Sequence, residues 1–276
     1  MEDAVFEGIP GTSLWGLKAR AEEDARADGL FKDPLAVKWF QRLEPFFGGP
    51  IAEWYNPVLQ QAIALRTDIL DDAVRTHLAR CQAPAVVELG AGFSTRFSRL
   101  MPDCPWFELD LPEMIELRLS MGETPAPRHS LLADSIFSPD WLTALDQQDP
   151  EQVFLIAEGL LMYFPLSRVE QLFKLLNRSL PGAWIAFDVM GGWNVAAAKG
   201  PGDEVAAPIY WGLKYLDQAY QQFGVSPAGD LTLPTRLKSE PGYQRRIKPL
   251  TRWLLGQRWL TRRMGGTVLA RLKRPD

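Results

Sequence analysis

The chain has 276 residues, of which 46% are hydrophobic and 23% are charged, the composition of a globular protein with an ordinary core. Its net charge of −4 is uneven: residues 236–276 hold twelve Lys and Arg against two Asp and Glu, which leaves −14 elsewhere and makes nucleic-acid binding there unfavourable. Two scattered cysteines, no membrane-length apolar run and a Met-Glu-Asp start without signal-peptide character predict a cytoplasmic protein that has no disulfide framework.

The first 50 residues show no strand pattern and are predicted to be helical. Residues 19–27 have helical composition, and Asp33-Pro34 is typical of the start of a second helix. After a Gly-Gly-Pro break at 48–50, Asn56 is a predicted N-cap with Pro57 at the first helical position. That helix is expected to end near residue 80.

From residue 85 onwards, strand and helix patterns alternate, which predicts an α/β fold with a doubly wound, mostly parallel sheet. The predicted strands are 85–89, 106–110, 129–133, 153–157, 183–189 and 265–272. The predicted helices are 94–101, 112–121, 138–147, 166–179 and 206–223, with a glycine-rich loop at 190–202.

The first of these strands ends in a glycine-tight turn that predicts a ligand site. Gly90 and Gly92 permit a sharp turn and let a ligand lie against the backbone. Glu88 adds a carboxylate beside the turn. Asp110 ends the next strand, where a carboxylate can accept hydrogen bonds from both hydroxyls of a ribose. Together these residues predict a nucleoside pocket at the carboxyl edge of the sheet.

The residues of the turn favour S-adenosylmethionine over a dinucleotide. A dinucleotide turn has a third glycine under the pyrophosphate, whereas this chain has Thr95 at that position. The acid at Glu88 also disfavours a negatively charged pyrophosphate but suits a cationic sulfonium. An NAD-type oxidoreductase, or a cofactor-binding protein without activity, remains the alternative. His77 and His129 are too far apart in sequence to predict a metal site.

Several short segments in a fixed order resemble the leucine carboxyl methyltransferase family, including its bacterial branch similar to polyketide O-methyltransferases. They are Arg66-Thr67 and the segments at 87–96, 108–112, 133–135 and 157–164. The resemblance extends from about residue 12 to residue 189. It implies a class I S-adenosylmethionine-dependent methyltransferase with a seven-stranded Rossmann-like sheet and an N-terminal helical cap, which forms methyl esters or methyl ethers.

The resemblance also implies the organisation of the chain. We expect one methyltransferase domain over residues 1–276, with a helical cap or lid at 1–56 and the cofactor-binding core at 57–189. Residues 190–276 would then form the acceptor side and the C-terminal strands.

Arg66 is a candidate on independent grounds, because it falls within the apolar stripe of its helix. That stripe comprises Leu59, Ile63, Leu70 and Val74. A guanidinium buried there needs an anionic partner. The resemblance implies that the partner is the cofactor carboxylate, and the alternative is an ion pair with Asp68, Asp71 or Asp72.

The remaining site roles follow from the resemblance. Asp110 is implied to bind the ribose, and Asp134 with Ser135 the adenine, although an Asp-Ser pair is also an ordinary N-cap. Glu158, at the end of the apolar 153–157 strand, is implied to face the cofactor near the transferred methyl. Tyr163 is implied to orient the acceptor, the alternative being a core aromatic residue. The implied cofactor-binding set is Arg20, Arg66, Glu88, Gly90, Gly92, Asp110, Asp134, Ser135 and Glu158, and the catalytic set is Tyr163 and Glu158.

Two further expectations concern the cap and the C-terminal segment. Lys18 is an alternative to Arg20 as the basic residue of the cap. The basic and aromatic segment after residue 236 could dock an acidic carrier protein that bears the acceptor, and Arg245, Arg246 and Arg258 are its candidate contacts. The acceptor itself is either such a carrier-bound group or a free small molecule, with a carboxylate mildly favoured because no histidine is placed to act as a base.

Overall fold

The computed structural model describes residues 11–192, 208–233, 235–236, 241–257, 261, 263 and 265–273. Its seven strands form a single mixed sheet in the order β3-β2-β1-β4-β5-β7-β6. The strands are β1 (Ala85–Leu89), β2 (Trp106–Asp110), β3 (His129–Ala133), β4 (Val153–Ala157), β5 (Trp184–Met190), β6 (Val225–Gly229) and β7 (Gly265–Leu272). Strands β1 to β5 are parallel, and β7 runs antiparallel between β5 and β6.

The helices lie before, between and after these strands. They are α1 (Gly11–Ala25), α2 (Pro34–Leu43), α3 (Gly49–Trp54), α4 (Pro57–Arg80), α5 (Arg96–Leu100), α6 (Pro112–Ser120), α7 (Leu166–Ser179), α8 (Gln218–Gln222), α9 (Pro241–Arg246) and α10 (Pro249–Leu255). None of the described helices is long and apolar enough to cross a bilayer.

Each face of the sheet packs against its own layer of helices, because alternate residues of a strand point to opposite faces. Val87 and Leu155 contribute to one cluster together with Phe173 of α7. Val86 contributes to the other cluster with Leu70 of α4. Strands β1 and β4 are buried along their whole length, as expected for central parallel strands.

The N-terminal helices form a third cluster, which covers the turn after β1. Leu17 of α1 and Trp39 of α2 pack with Phe93 of that turn and with Met114 of α6. Asn56 caps α4 as predicted, because its side chain accepts hydrogen bonds from the backbone N–H groups of Val58 and Leu59. Through this packing the cap helices reach the carboxyl edge of the sheet.

The predicted fold class and six strands are confirmed, and three details are wrong. The predicted helix at 138–147 is a 3₁₀-helix over Asp140–Leu145. Within the described part of the predicted helix at 206–223, only Gln218–Gln222 forms an α-helix. The resemblance implied seven strands, but the position of the seventh, β6, was not predicted: it contains Pro227 and lies at the sheet edge, where a residue without an N–H is tolerated.

Candidate functional site

A cavity of about 1010 Å³ lies at the carboxyl ends of the parallel strands, beneath helix α1. This is the edge where ligands bind in open α/β sheets. All ten predicted site residues line it, although they come from the cap, helix α4 and the ends of four strands. They are Arg20, Arg66, Glu88, Gly90, Gly92, Asp110, Asp134, Ser135, Glu158 and Tyr163.

The turn after β1 requires glycine at its first position. Gly90 has φ of +60°, and Gly92 has φ of +52°, both in the left-handed region. A Cβ atom on Gly90 would lie 2.9 Å from Cδ2 of Leu160 and closer still to Cδ1. A Cβ atom on Gly92 would meet only Ser13, at 3.9 Å. The turn therefore packs against Leu160 on one side and leaves backbone open to the cavity on the other.

Asp110 supports this turn and keeps acceptor capacity for a ligand. Its Oδ2 accepts from the Gly92 N–H at 2.6 Å and its Oδ1 from the Leu111 N–H at 2.8 Å. Each carboxylate oxygen has a second lone pair, so two ribose hydroxyls can still donate to it. Burial raises the pKa of Asp110, while these two N–H donors oppose that rise.

Asp134 and Ser135 lie beside Asp110 after β3. The Asp134 N–H donates to the Asp110 carbonyl at 3.0 Å, which joins the two strand ends. The Asp134 carboxylate accepts from the Ser135 N–H at 2.7 Å, and Ser135 Oγ accepts from the Phe137 N–H at 3.3 Å. The pair therefore stabilises a local turn, and it does not cap the following 3₁₀-helix, whose N-cap is Pro139.

Arg66 forms ion pairs across the cavity floor. Its Nε lies 3.0 Å from Glu158 Oε1, and its Nη1 lies 3.4 Å from Asp188 Oδ2. The side chain is 29% exposed, so the guanidinium is not fully buried as its position in the stripe suggested. Burial opposes the charge, but Asp188 and Glu158 raise the pKa of Arg66 above its ordinary value.

The alternative partners proposed for Arg66 are wrong, because other groups bind all three acids. Asp68 accepts from the Tyr243 hydroxyl, Asp71 pairs with Arg96 and Arg99, and Asp72 pairs with Arg75 and Arg236.

Glu158 links Arg66 to a second buried arginine. Its Oε1 accepts from Arg66 Nε and, at 3.3 Å, from the Thr67 hydroxyl, while its Oε2 accepts from Arg96 Nη2 at 2.5 Å. Burial disfavours the ionised carboxylate, yet Arg66 and Arg96 hold the pKa of Glu158 well below its usual range. Glu158 therefore holds the Arg66 and Arg96 guanidinium groups in place.

Glu88 is fixed by hydrogen bonds from side chains that follow the turn in sequence. It is 3% exposed, and its oxygens accept from the Ser94 hydroxyl, from Trp106 Nε1 at 3.2 Å and from Arg96. Arg96 is itself 2% exposed and also contacts Asp71. Arg96 was not among the predicted site residues. Its position at the end of the glycine-turn motif, after a buried acid, was the available signal.

Arg20 links helix α1 of the cap to the turn after β1 through a hydrogen bond. Its Nη2 donates to the Phe93 carbonyl at 2.6 Å, and its Nε lies 3.3 Å from Asp33. Asp33 accepts in turn from the Thr95 hydroxyl at 2.5 Å, so the residue that replaces the third glycine has a structural partner. Lys18 pairs instead with Glu22 at 2.7 Å and is absent from the cavity wall.

Tyr163 lies in a 3₁₀-helix, Leu161–Tyr163, opposite Thr12 of α1. It lines the cavity, in contrast to a tyrosine packed wholly within the core. Burial raises the pKa of its phenol, so the hydroxyl keeps its proton at neutral pH.

Two further supporting residues were missed. Asp188, on β5, accepts from the Gly159 N–H at 2.8 Å as well as pairing with Arg66. Arg118, on α6, is fully buried and donates to the Gly92 carbonyl at 3.0 Å and to Glu123 at 2.6 Å. Asp188 interrupts an apolar strand, which was a signal for it, whereas Arg118 has no such signal in its helix.

The walls of the cavity fit S-adenosylmethionine. The open backbone at Gly92 gives room for a ligand, Asp110 has lone pairs for a ribose, and Arg66 exposes guanidinium surface that can bind a carboxylate. A seven-stranded sheet with an antiparallel β7 and this cavity defines the class of S-adenosylmethionine-dependent methyltransferases. Comparison with known proteins identifies the branch of that class.

Residues 13–177 match the family model "Leucine carboxyl methyltransferase", and the chain belongs to this family. It is 26% identical over 194 residues to the tetracenomycin polyketide synthesis O-methyltransferase TcmP of Streptomyces glaucescens, which covers 70% of each chain. It is 30% identical over 196 residues to a putative S-adenosyl-L-methionine-dependent methyltransferase of Frankia alni, covering 66% of this chain and 69% of that one. These matches confirm the family and the cofactor and set aside the oxidoreductase alternative.

The fold is also seen in a solved structure. A crystal structure of a putative methyltransferase from Thermobifida fusca matches with a TM-score of 0.55 and 15% identity, over 92% of this chain and 94% of that one. At this identity the likeness shows the fold. The protein is a methyltransferase that uses S-adenosylmethionine.

Proposed function

We propose that the protein methylates an oxygen of its acceptor, and that this oxygen belongs to a carboxylate. The observation that carries the proposal is the ion pairing of Glu158, which Arg66 and Arg96 hold ionised with both oxygens engaged. A carboxylate with so low a pKa is a weak base. A hydroxyl acceptor would need a base, whereas a carboxylate acceptor is already nucleophilic at neutral pH.

Tyr163 and the two histidines support the same choice. Tyr163 keeps its proton and can donate a hydrogen bond, which suits an anionic acceptor oxygen. His77 Nε2 donates to the Gln152 carbonyl at 2.8 Å, and His129 stacks on Phe97. Neither histidine lines the cavity. TcmP is named as an O-methyltransferase, which supports oxygen as the methylated atom.

We assign the cofactor contacts by their place in the cavity. Arg66 would bind the cofactor carboxylate, Asp110 the ribose, and Asp134 with Ser135 the adenine. Glu158 would hold the Arg66 guanidinium in place, and the turn at Gly90 would lie against the aminoacyl part. These assignments use residues that already line one cavity.

In this mechanism the protein orients the acceptor and excludes water from the reacting atoms. When bound, S-adenosylmethionine supplies an activated methyl group on a sulfonium, which is transferred by in-line displacement. Tyr163 would hold the acceptor oxygen in line, and the apolar Leu160 and Phe164 beside it would exclude water. Orientation and water exclusion together can lower the barrier by several kcal/mol. We propose that residues 1–56, of which 1–10 lie outside the described residues, act as the lid that closes this space within a single domain, because α1 already lies over the turn.

We expect a carboxylate acceptor to be methylated at a rate that changes little between about pH 6 and 9, because it is ionised throughout this range. Tyr163→Phe should lower kcat/KM by about tenfold, the worth of one hydrogen bond to a charged group, and leave cofactor affinity unchanged. The assay compares an aromatic acid with the corresponding phenol and tests whether the product is a base-labile ester. Transfer to the phenol alone, with a rate that follows phenol ionisation, would contradict the proposal.

We propose further that the exposed side of α9 and α10 receives an acidic carrier protein bearing the acceptor. Tyr243 and Ile247 anchor this segment in the core, while Leu250 and Trp253 are 70% and 62% exposed. Exposed Arg245 and Lys248 add positive charge, so the surface is both apolar and basic. Of the other two candidate contacts, Arg246 pairs at 2.8 Å with buried Glu23, and Arg258 is outside the described residues.

The double variant Arg245→Glu with Lys248→Glu should lower kcat/KM for a carrier-bound acceptor by about tenfold and leave a free acceptor unaffected, because association is weakened by charge repulsion. The control makes the same charge change on α7, at exposed Lys174 and Arg178. Equal rates for the double variant and wild type with the carrier-bound acceptor would remove the docking proposal.

A further inference from the structure

One continuous network of ion pairs lies along the side of the cavity that Arg20, Arg66 and Glu158 line. It begins in the cap and ends on β5, and each link is a direct contact between an arginine and a carboxylate. In order, its members are Arg20, Asp33, Arg99, Asp71, Arg96, Glu88, Glu158, Arg66 and Asp188, with Glu88 and Glu158 both bound to Arg96.

This network contains one more carboxylate than arginine. Four arginines face five carboxylates, so the ionised network has a net charge of −1. Glu88 and Asp188 are terminal members, since each contacts a single arginine, Arg96 and Arg66 respectively. Of these two acids, Asp188 is on the Arg66 side of the network, where the cofactor carboxylate is proposed to bind.

Hydrogen-bond donors face both oxygens of the Asp188 carboxylate. Its Oδ2 accepts from the Gly159 N–H at 2.8 Å, and its Oδ1 accepts from the Thr267 hydroxyl at 3.0 Å. Burial raises the pKa of Asp188, and Arg66 together with these two donors opposes that rise. Thr267 stands opposite Asp188 in the register of β5 and β7, so the antiparallel strand fixes this carboxylate.

Asp188 also contacts two groups that meet beside the turn after β4, namely the Gly159 backbone and the Arg66 side chain. Gly159 follows Glu158 with φ of +60°, and a Cβ atom there would lie 3.1 Å from Arg66 Nη2. The same carboxylate therefore binds the Gly159 backbone and the Arg66 guanidinium. The Asp188 carboxylate is therefore held at a fixed position relative to the exposed part of the Arg66 guanidinium.

We infer that Asp188 is a positioning residue that makes this site distinguish S-adenosylmethionine from its demethylated product. The substrate cofactor carries a sulfonium, an ammonium and a carboxylate, a net charge of +1, whereas S-adenosylhomocysteine has lost the sulfonium charge and is neutral overall. A network of −1 complements the substrate form and favours release of the product form. The inference depends on the placement of the cofactor given under Proposed function.

Binding affinities test this inference without turnover. In Asp188→Asn, which keeps the size of the side chain and removes its charge, we expect the affinity for S-adenosylmethionine to fall by about tenfold. The affinity for S-adenosylhomocysteine should change by less than about threefold, since no sulfonium charge is present. Titration calorimetry of both ligands gives the ratio directly. An equal loss for both ligands would show a purely structural role and would overturn the inference, as would no loss for either.

Two controls separate the possible failures. Asp134→Asn makes the same chemical change at the proposed adenine end, so it should weaken both ligands equally. If Asp134→Asn alters neither affinity, the proposed placement of the cofactor is wrong; if it weakens both while Asp188→Asn leaves the ratio unchanged, only the present inference is wrong. For a destabilised Asp188→Asn protein, thermal shifts with excess of either ligand provide the same comparison, because ligand binding stabilises the folded state.

Discussion

Gly90→Ala is expected to weaken cofactor binding by more than tenfold and to destabilise the protein by about 2 kcal/mol or more. The residue has φ of +60°, which costs a non-glycine residue roughly 1–2 kcal/mol. The added methyl group would also overlap the Leu160 side chain, with Cδ2 at 2.9 Å and Cδ1 closer. Because Leu160 follows Gly159 in the turn after β4, relief of the overlap would displace the cavity wall beside Tyr163. Titration calorimetry with S-adenosylmethionine and a urea unfolding curve measure the two effects.

The control for Gly90→Ala is Gly122→Ala. Gly122 has φ of +91°, and nothing lies within 4 Å of a Cβ atom built there, so this variant has backbone strain without overlap. It should lose roughly 1–2 kcal/mol and retain full cofactor affinity. If the two variants behave alike, the close packing of Gly90 against Leu160 has no role in forming the site.

Most of the sheet could be predicted because its strands have strong local patterns. Val153–Ala157 is apolar throughout and Ala85–Leu89 is apolar except for Glu88, and both are bounded by turn residues, as buried parallel strands are. The β6 strand has neither feature, since its sequence is Val-Ser-Pro-Ala-Gly and only its first residue is buried. Pairing with β7 stabilises it, which is a tertiary effect that a local pattern does not record.

The residues that line the site could be predicted to a similar extent, whereas the ion pairs among them could not. Glycines and acids at strand ends indicate where a ligand would lie, because parallel strands place their carboxyl ends at one edge. The partners of Arg66 are 92 and 122 positions away in sequence, at Glu158 and Asp188. The alternative partners predicted beside the cofactor carboxylate were acids nearby on the same helix, and the fold pairs those acids with other groups. Sequence spacing contains little information about such long-range pairs.

The other large effect is expected from removing Arg96, because its guanidinium pairs with three buried or partly buried acids. Its side chain is 2% exposed and contacts Asp71 at 2.7 Å, Glu158 at 2.5 Å and Glu88. Removing one partner from a buried ion pair costs about 3–5 kcal/mol, since the remaining charge is left without compensation. Arg96→Met, which keeps apolar bulk, should therefore lower the free energy of unfolding by at least that amount and weaken cofactor binding through the displaced Glu158.

The pH dependence of this loss follows from the sign of the charge that is left behind. In wild type the depressed pKa of Glu158 stabilises the fold above the ordinary carboxyl range, and this contribution is lost as the pH falls. In Arg96→Met, Glu88 loses its arginine, whereas Asp71 keeps Arg99 and Glu158 keeps Arg66. Protonation makes the unpaired Glu88 neutral, so the deficit relative to wild type should shrink as the pH decreases from 7. Urea unfolding at several pH values measures it, with Arg75→Met as control. The Arg75 side chain is 52% exposed and pairs with Asp72 at 3.3 Å, so its loss should cost under about 1 kcal/mol. A deficit for Arg96→Met that equals the control, or that grows in acid, would contradict the role given to Arg96.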